Sequence, residues 1–474
     1  MKRRQRRTSQ RARNVVSSQR PAAAIAALPG PASPPARFLT GSLMRHILVM
    51  TGTSAIGLMC VFFGELASVY FLGRLRDVEI LAAIGYAMAI IFFPNSIGIG
   101  LSISTTAAVA PAVGAGDMVR ARRLATHAII FAGVLGCILL AVLWPAIGRL
   151  LTAMGATGRT HALALDYLQI ALPVMPLTAV GMSAMAVMRS LGDARRSMNV
   201  PVVSSMFQFV VEPVLIFTLG LGLHGAAIAL VLGRLAMVAI GFWGVFGVHR
   251  MFARPTLAAF KADVRPLARV AVPAVATNLA TPFANLFSTA AIAKFGDDAV
   301  AAWAIAGRVA PMAFGIVFSL SGAVGPIIGQ NYGVRDYDRV RESYVAGLKA
   351  NLILCTIAMV ALILLSPFII GAFAVSPRAA QLVRFYCVWV APLFYFIGLL
   401  FVANAAFNVL GRAHYATGLN WARATLGTIP LVWLGGELAG TEGAFFGSSV
   451  GGVVFGPLSA WVAYRCLPAG EPDR

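Results

Sequence analysis

Two glutamates stand alone in stretches that otherwise read as lipid-soluble: Glu65 in CVFFGELASVY and Glu212 in FQFVVEPVLIF. A charged side chain at the centre of a membrane helix costs about 2.5–3.5 kcal/mol even on the lenient insertion scale, so each is expected to face a cavity or the bundle interior. Gln208 lies four residues before Glu212, one helical turn away on the same face, where its amide is placed to donate to the carboxylate. Pro213 removes a backbone donor and leaves a carbonyl without its usual partner, a point at which the helix can flex. Two acids in a dry setting can titrate as a unit, which is the chemistry of proton coupling. The plainer alternative is a pair of neutral acids hydrogen-bonded between helices, but a polar group kept only for packing is costly and easily replaced.

The elements that must position these acids are membrane helices. The chain of 474 residues is 59% hydrophobic and 12% charged, with a mean hydropathy of +0.82, which a water-soluble surface could not carry. A helix crossing the hydrocarbon needs about 20 mainly apolar residues and satisfies its own backbone. Twelve such runs are present, near 47–71, 79–105, 126–148, 162–188, 197–221, 225–248, 267–292, 299–326, 347–370, 383–408, 416–436 and 443–464. With the N-terminus cytoplasmic, the inner loops hold fourteen of the loop Arg and Lys residues and the outer loops six, the positive-inside bias. The net charge of +21 is then a property of cytoplasmic loops and tail, and no nucleic-acid partner is needed to explain it.

Sliding the chain by 219 residues aligns 82–122 with 301–341 without a gap, pairing Ala82 with Ala301, Leu101 with Leu320, Gly114 with Gly333, Asp117 with Asp336 and Arg120 with Arg339. The shared loop reads G-x-x-D-x-x-R-x-R and is expected to be a structural turn with solvated charges. Six helices per half put equivalent loops on the same membrane side, so the repeat is parallel, about an axis near the membrane normal. The expected fold is an all-α membrane protein of twelve transmembrane helices in two six-helix bundles. The divisions are a disordered basic tail at 1–43, a first bundle at 44–249, a cytoplasmic linker at 250–264, a second bundle at 265–466 and a short tail at 467–474. The tail lacks any acid and is Pro/Ala-rich in its second half; it reads as a solvated extension, with Met44 an alternative start and a transit peptide the sharper alternative. Nothing in 2–40 is expected to bury surface. Cys60, Cys137, Cys355, Cys387 and Cys466 form an odd, membrane-embedded set with no disulfide framework and no metal spacing.

The stretches SGAVGPIIGQNYGVRDYDRVR (321–341), FFGELASVYFLGRLRDVEILAAIGYA (62–87), VMRSLGDARRSM (187–198) and VVEPVLIFTLGLGLHGAAIA (210–229) resemble the multidrug and toxic compound extrusion (MATE) transporters of the DinF-like branch, over about residues 44–465. The resemblance implies a V-shaped pair of bundles, alternating access and cation-driven export of small molecules. It places Glu65 and Glu212 where relatives carry acids in helices 1 and 5, Gln208 where Asn is usual and Tyr167 where a tyrosine of helix 4 lines the same pocket. That pocket binds the coupling proton, or sodium in some members. Here both acids are Glu where Asp is usual, and Leu230 stands in place of a hydroxyl that helps ligate sodium, so protons are expected. Helix 1 also lacks the expected proline and has Thr51 and Gly52 nearby.

The second half has no matching acids: Ala284 lies opposite Glu65, and Ile429 and Pro430 answer to the Glu212 segment. Ion coupling is therefore expected in the first bundle alone. A substrate cavity of Asn278, Asn285, Trp303, Arg308, Asn404 and Asn408 is expected in the second, with Met and Phe nearby to suit flat amphipathic ligands. Arg234 and Arg308 are expected to snorkel or to bind carbonyls, and Arg423 to face the second-bundle cavity. Neither a phosphate-binding G-x-x-x-x-G-K-[ST] loop nor an H-E-x-x-H motif is present, so neither an ATP-driven pump nor an enzyme is expected, and no cofactor or metal. The expectation is a monomeric proton-coupled exporter in a bacterial inner membrane with both termini cytoplasmic. The rival is a lipid or lipid-linked oligosaccharide flippase, which needs a more strongly cationic lumen.

Overall fold

The computed structural model describes residues 36–373 and 376–468. Its helices are α1 (Leu43–Gly73), α2 (Val78–Gly114), α3 (Met118–Ala153), α4 (Gly158–Ser190), α5 (Ala194–Thr218) and α6 (Gly222–Val248) in the first half. The second half holds α7 (Leu257–Phe295), α8 (Asp297–Ala313 and Gly315–Gly333, bent by 43°), α9 (Tyr337–Phe373) and α10 (Pro377–Val409). The remaining 54 residues, Ala413–Cys466, would run about 80 Å as one helix, far beyond a hydrocarbon core of about 30 Å. They fold back instead at Ala439 and Gly440, whose φ is 61°, giving α11 (413–438) and α12 (441–466). Glycine makes that hairpin close: a Cβ on Gly443 would lie 2.0 Å from the Gly435 carbonyl oxygen, and Gly447 and Gly451 meet Leu431 and Gly427 in the same way. Small residues at every fourth position let membrane helices touch backbone to backbone. Dividing the hairpin brings the spans to twelve, as the apolar runs predict.

The 219-residue offset extends to the helix boundaries. Gly114 and Gly333 end α2 and α8, Ser190 and Val409 end α4 and α10, and Ala194 and Ala413 begin α5 and α11. Asp117 and Asp336 each cap the following helix, accepting from the backbone N–H of Arg120 and of Arg339, both at 2.9 Å. The shared loop motif is thus a helix stop followed by a helix start.

Where the halves meet, the contact is reciprocal. A Cβ on Gly114 would lie 2.0 Å from the Gln330 carbonyl oxygen, and one on Gly333 would lie 2.0 Å from that of Pro111. Pro111 and Gln330 are themselves repeat partners, so the pseudo-two-fold axis passes through this crossing of α2 and α8. The helices α1 and α8, and their equivalents α7 and α2, pack across the same seam. The carboxylate of Asp263 on α7 is tied to α3, receiving two hydrogen bonds from Arg123 (3.0 and 3.3 Å) and lying 2.7 Å from His127 Nδ1.

The ends of the expected divisions shift. Residues 1–35 lie outside the described residues, but 36–42 do bury surface: Phe38 is 2% exposed. Its N–H donates to Gln330 Oε1 at 3.0 Å, its carbonyl accepts from Arg339 Nε at 3.3 Å, and Gln330 in turn donates to the Ser190 carbonyl at 2.7 Å. This short stretch spans the seam between the halves, which a tail read only by its low complexity does not reveal. The linker is shorter than expected, since Thr256 caps α7 and helix begins at Leu257. Leu467 is buried, and 469–474 lie outside the described residues.

Candidate functional site

Glu212 lies on α5 immediately before Pro213, and a π-helical turn, Val214–Thr218, follows at once. Such widened turns often mark functional positions in helices. The Glu212 side chain is enclosed, with the residue 1% exposed. Ser68 of α1 donates its hydroxyl to Oε1 in a short hydrogen bond, and Gln208 Nε2 reaches Oε2 at 3.5 Å, the long end of the range. Glu65 sits three residues before Ser68 on the same helix face. It lines a cavity of about 40 Å³ together with Ser68, Asn95 of α2, Tyr167 of α4, Gln208 and Arg234 of α6. The two acids differ in access, because Glu65 is exposed whereas Glu212 is closed off.

The structure thus brings Glu65, Glu212, Gln208 and Tyr167 into one neighbourhood. Sequence reading missed Ser68, which binds Glu212 and lines the cavity with Glu65, and put Arg234 at the membrane edge or on a carbonyl. Arg234 instead turns into the acid cavity, and no hydrogen-bond partner is found among the described residues for its buried Nε. Ser68 gave little signal, since serine is common in membrane helices. Arg234 did give one, because it falls 22 residues after Glu212, in the next span of the same bundle. A roomier space of about 190 Å³ lies elsewhere, lined by Met188, Arg196, Asn199 and Trp243 among others, and none of its lining residues is an acid.

The second-bundle candidates do not converge. Asn404 accepts from Asn420 Nδ2 at 3.0 Å, and Asn408, also buried, has no partner for its Oδ1 among the described residues. Asn278 spends its amide on the Ala274 carbonyl of its own helix at 2.8 Å, and the Trp303 indole N–H goes to Thr289 Oγ1 at 2.9 Å. Asn285 and Arg308 are exposed. Arg423, 7% exposed, donates to Thr281 Oγ1 at 3.0 Å, and no carboxylate pairs with it among the described residues.

At the tail-side end of the first bundle, Asp193 caps α5 through the Arg196 N–H and receives the Arg196 guanidinium at 2.6 Å, with His249 Nε2 at 2.9 Å. Burial pushes its carboxyl up, but the hydrogen bonds from His249 and Arg196 outweigh this and hold it below the usual aspartate range.

Comparison with known proteins agrees with this architecture. The chain is 26% identical to the FAD transporter of Shewanella oneidensis over 91% of its own length and 97% of that protein. It is 22% identical to the multidrug export protein MepA of Staphylococcus aureus over 84% of its length and 87% of that protein. Among solved structures, a mutant of the Vibrio cholerae MATE transporter VcmN superposes with a TM-score of 0.84 at 26% identity, covering 89% of this chain and 96% of that one. A MOP superfamily transporter from Pyrococcus furiosus superposes at 0.86 with 21% identity, covering 92% and 99%. The MatE family profile matches residues 54–214 and 273–434, two segments that are the same stretch of each half, and the chain is therefore a member of the MATE family of transporters.

Proposed function

We propose that the protein is a proton-driven antiporter that exports amphipathic or cationic small molecules across a bacterial inner membrane by alternating access, with both termini cytoplasmic. The observation that carries this reading is Glu212: a carboxylate enclosed within a membrane span, held by Ser68 and Gln208, beside a cavity that holds a second acid. When the cavity faces outside, Glu212 takes a proton and changes from a pure acceptor toward Ser68 and Gln208 to a donor and acceptor. The neutral helix is then free to shift about Pro213 and the π-helical turn, weakening substrate binding before the cavity returns to the cytoplasm. A pH difference of one unit supplies about 1.4 kcal/mol per proton, enough to bias two states a few kcal/mol apart. In proteoliposomes with an imposed pH gradient and no sodium, the wild type exports a cationic dye and Glu212→Gln does not. Undiminished export by the variant, or wild-type export that needs sodium and ignores the pH gradient, overturns the reading.

A second reading, an acidic flavin nucleotide as the exported compound, is supported by the relative named as an FAD transporter and by Arg423, a buried guanidinium without a carboxylate among the described residues. Competition of dye export by a flavin dinucleotide, lost in Arg423→Leu, separates the two substrates. A flippase reading has less support, since the first-bundle pocket is lined by one acid, Glu65, with a second, Glu212, beside it, and by a single cation among the described residues.

A further inference from the structure

Arg234 is the one cation lining the acid cavity among the described residues, and the proton reading above leaves it without work. Glu65 and Arg234 line the same space of about 40 Å³, little more than the volume of one water, with Tyr167 and Gln208 completing the polar wall and Leu230 an apolar one. The titratable side chains around it are Glu65 on α1, Tyr167 on α4, Glu212 on α5 and Arg234 on α6. Their charges sum simply. With both acids ionised and the phenol neutral, the neighbourhood carries one net negative charge; without Arg234 it would carry two.

We propose that Arg234 is the resident counter-ion of Glu65 and thereby sets the ion selectivity and stoichiometry of the pocket. Glu65 is the more exposed of the two acids. A guanidinium lining the same cavity occupies the counter-ion role permanently and repels sodium. Glu212, enclosed and held by Ser68 and Gln208, is left as the single exchangeable site, so one proton neutralises the pocket in each cycle. Leu230, one helical turn before Arg234, offers no oxygen to an alkali cation, which wants several. In the other half the repeat partner of Arg234 is Val453, and that of Glu65 is Ala284. The charge is absent where its partner is absent.

The inference deepens the proton-antiport reading, and its test has a readout that does not depend on transport. Purified protein is heated in sodium chloride or in the chloride of a large organic cation, at equal ionic strength. Wild type should unfold at the same temperature in both. Arg234→Gln, with its uncompensated acids, should gain several degrees in sodium. In proteoliposomes the slope of export rate against pH should rise from about one proton in wild type to about two in Arg234→Gln, and Arg234→Lys should keep both wild-type behaviours. If Arg234→Gln fails to fold, the double variant Glu65→Gln/Arg234→Gln, which removes both charges, should fold and show no sodium response. A folded Arg234→Gln with neither a sodium response nor a steeper pH slope overturns the proposal, as does a double variant no more stable than the single one. Wild-type export that ignores pH overturns the antiport reading instead, and a sodium response in Arg234→Gln still upholds the counter-ion role.

Discussion

The two halves are one design at the level of the backbone and two at the level of chemistry. The polar residues of the acid neighbourhood have partners 219 positions on: Ala284 for Glu65, Phe287 for Ser68, Phe314 for Asn95, Tyr386 for Tyr167, Gly427 for Gln208, Leu431 for Glu212 and Val453 for Arg234. Only the tyrosine is retained. A few residues that shape the helices do repeat, as at Gly114 and Gly333, Pro173 and Pro392 or Asp117 and Asp336, where both halves must solve the same packing problem. A charge in the membrane must be met by several others at once, so a polar pocket is kept whole or lost whole.

This contrast is most sharply tested by transplanting the acid. Glu212→Gln should lower pH-driven export by about 100-fold or more, the loss of the exchangeable site proposed above, equivalent to about 2.7 kcal/mol or more. Adding Leu431→Glu to that variant should not restore it, because Phe287, Gly427 and Val453 offer the new carboxylate no hydroxyl, amide or guanidinium. Export returning in the double variant, measured in proteoliposomes under a pH gradient, would show that the second half can carry coupling.

The seam should respond symmetrically where the pockets do not. Gly114→Ala and Gly333→Ala each force a methyl against a carbonyl oxygen only 2.0 Å away, an overpacking that costs about 1–3 kcal/mol. The two losses, read by thermal unfolding of the purified protein, should agree with one another. A large inequality would mean that the reciprocal crossing is not the shared pivot of the two halves.

Much of this was legible in the sequence. Twelve spans follow from apolar length, the repeat from a fixed offset, and the two acids from their isolation in lipid-soluble runs. The missing parts have physical reasons. A repeat shows which helices are equivalent but not which faces touch, so the crossing of Pro111 and Gly114 with Gln330 and Gly333 could not be read. Ser68 acts through one hydroxyl that composition does not distinguish from any helical serine. Phe38 lies beside a low-complexity tail, and its burial depends on partners about 290 residues away. The second-bundle asparagines look alike in sequence, yet Asn278 is satisfied by its own helix while Asn404 reaches another.

A smaller difference between the halves lies at the start of α5 and α11. Asp193 caps α5 and is held below the usual aspartate range, burial notwithstanding, by His249 and Arg196. Its partner, Arg412, caps α11 with no side-chain hydrogen bond. Asp193→Asn keeps a capping oxygen but loses the charge and should cost about 1–2 kcal/mol at neutral pH. For a carboxyl lowered by folding, the contribution is fully present above the ordinary aspartate value of about 4 and is lost as the pH falls through the folded value. The gap between wild type and variant, followed by unfolding at a series of pH values, should therefore be constant near neutrality and close on acidification below about pH 4. A gap that widens in acid would contradict the ion-paired state of Asp193.

The smallest expected effect concerns the two loops that share G-x-x-D-x-x-R-x-R. In the first, the residue before the capping aspartate is Gly116, with φ of 72°; in the second it is Arg335, with φ of 62°. A side chain in this left-handed region meets its own carbonyl, at a cost of about 1–2 kcal/mol, whereas glycine has no Cβ to clash. Glycine gives back part of that gain, because its unfolded chain has more freedom to lose. Arg335→Gly should therefore stabilise the protein by about 0.5–1 kcal/mol, a rise in unfolding temperature with transport unchanged, and Gly116→Arg should lose a similar amount. Equal and opposite shifts would show that the loops are interchangeable parts of one repeat. A destabilised Arg335→Gly would mean instead that the arginine side chain makes a contact in the second half for which the first has no counterpart.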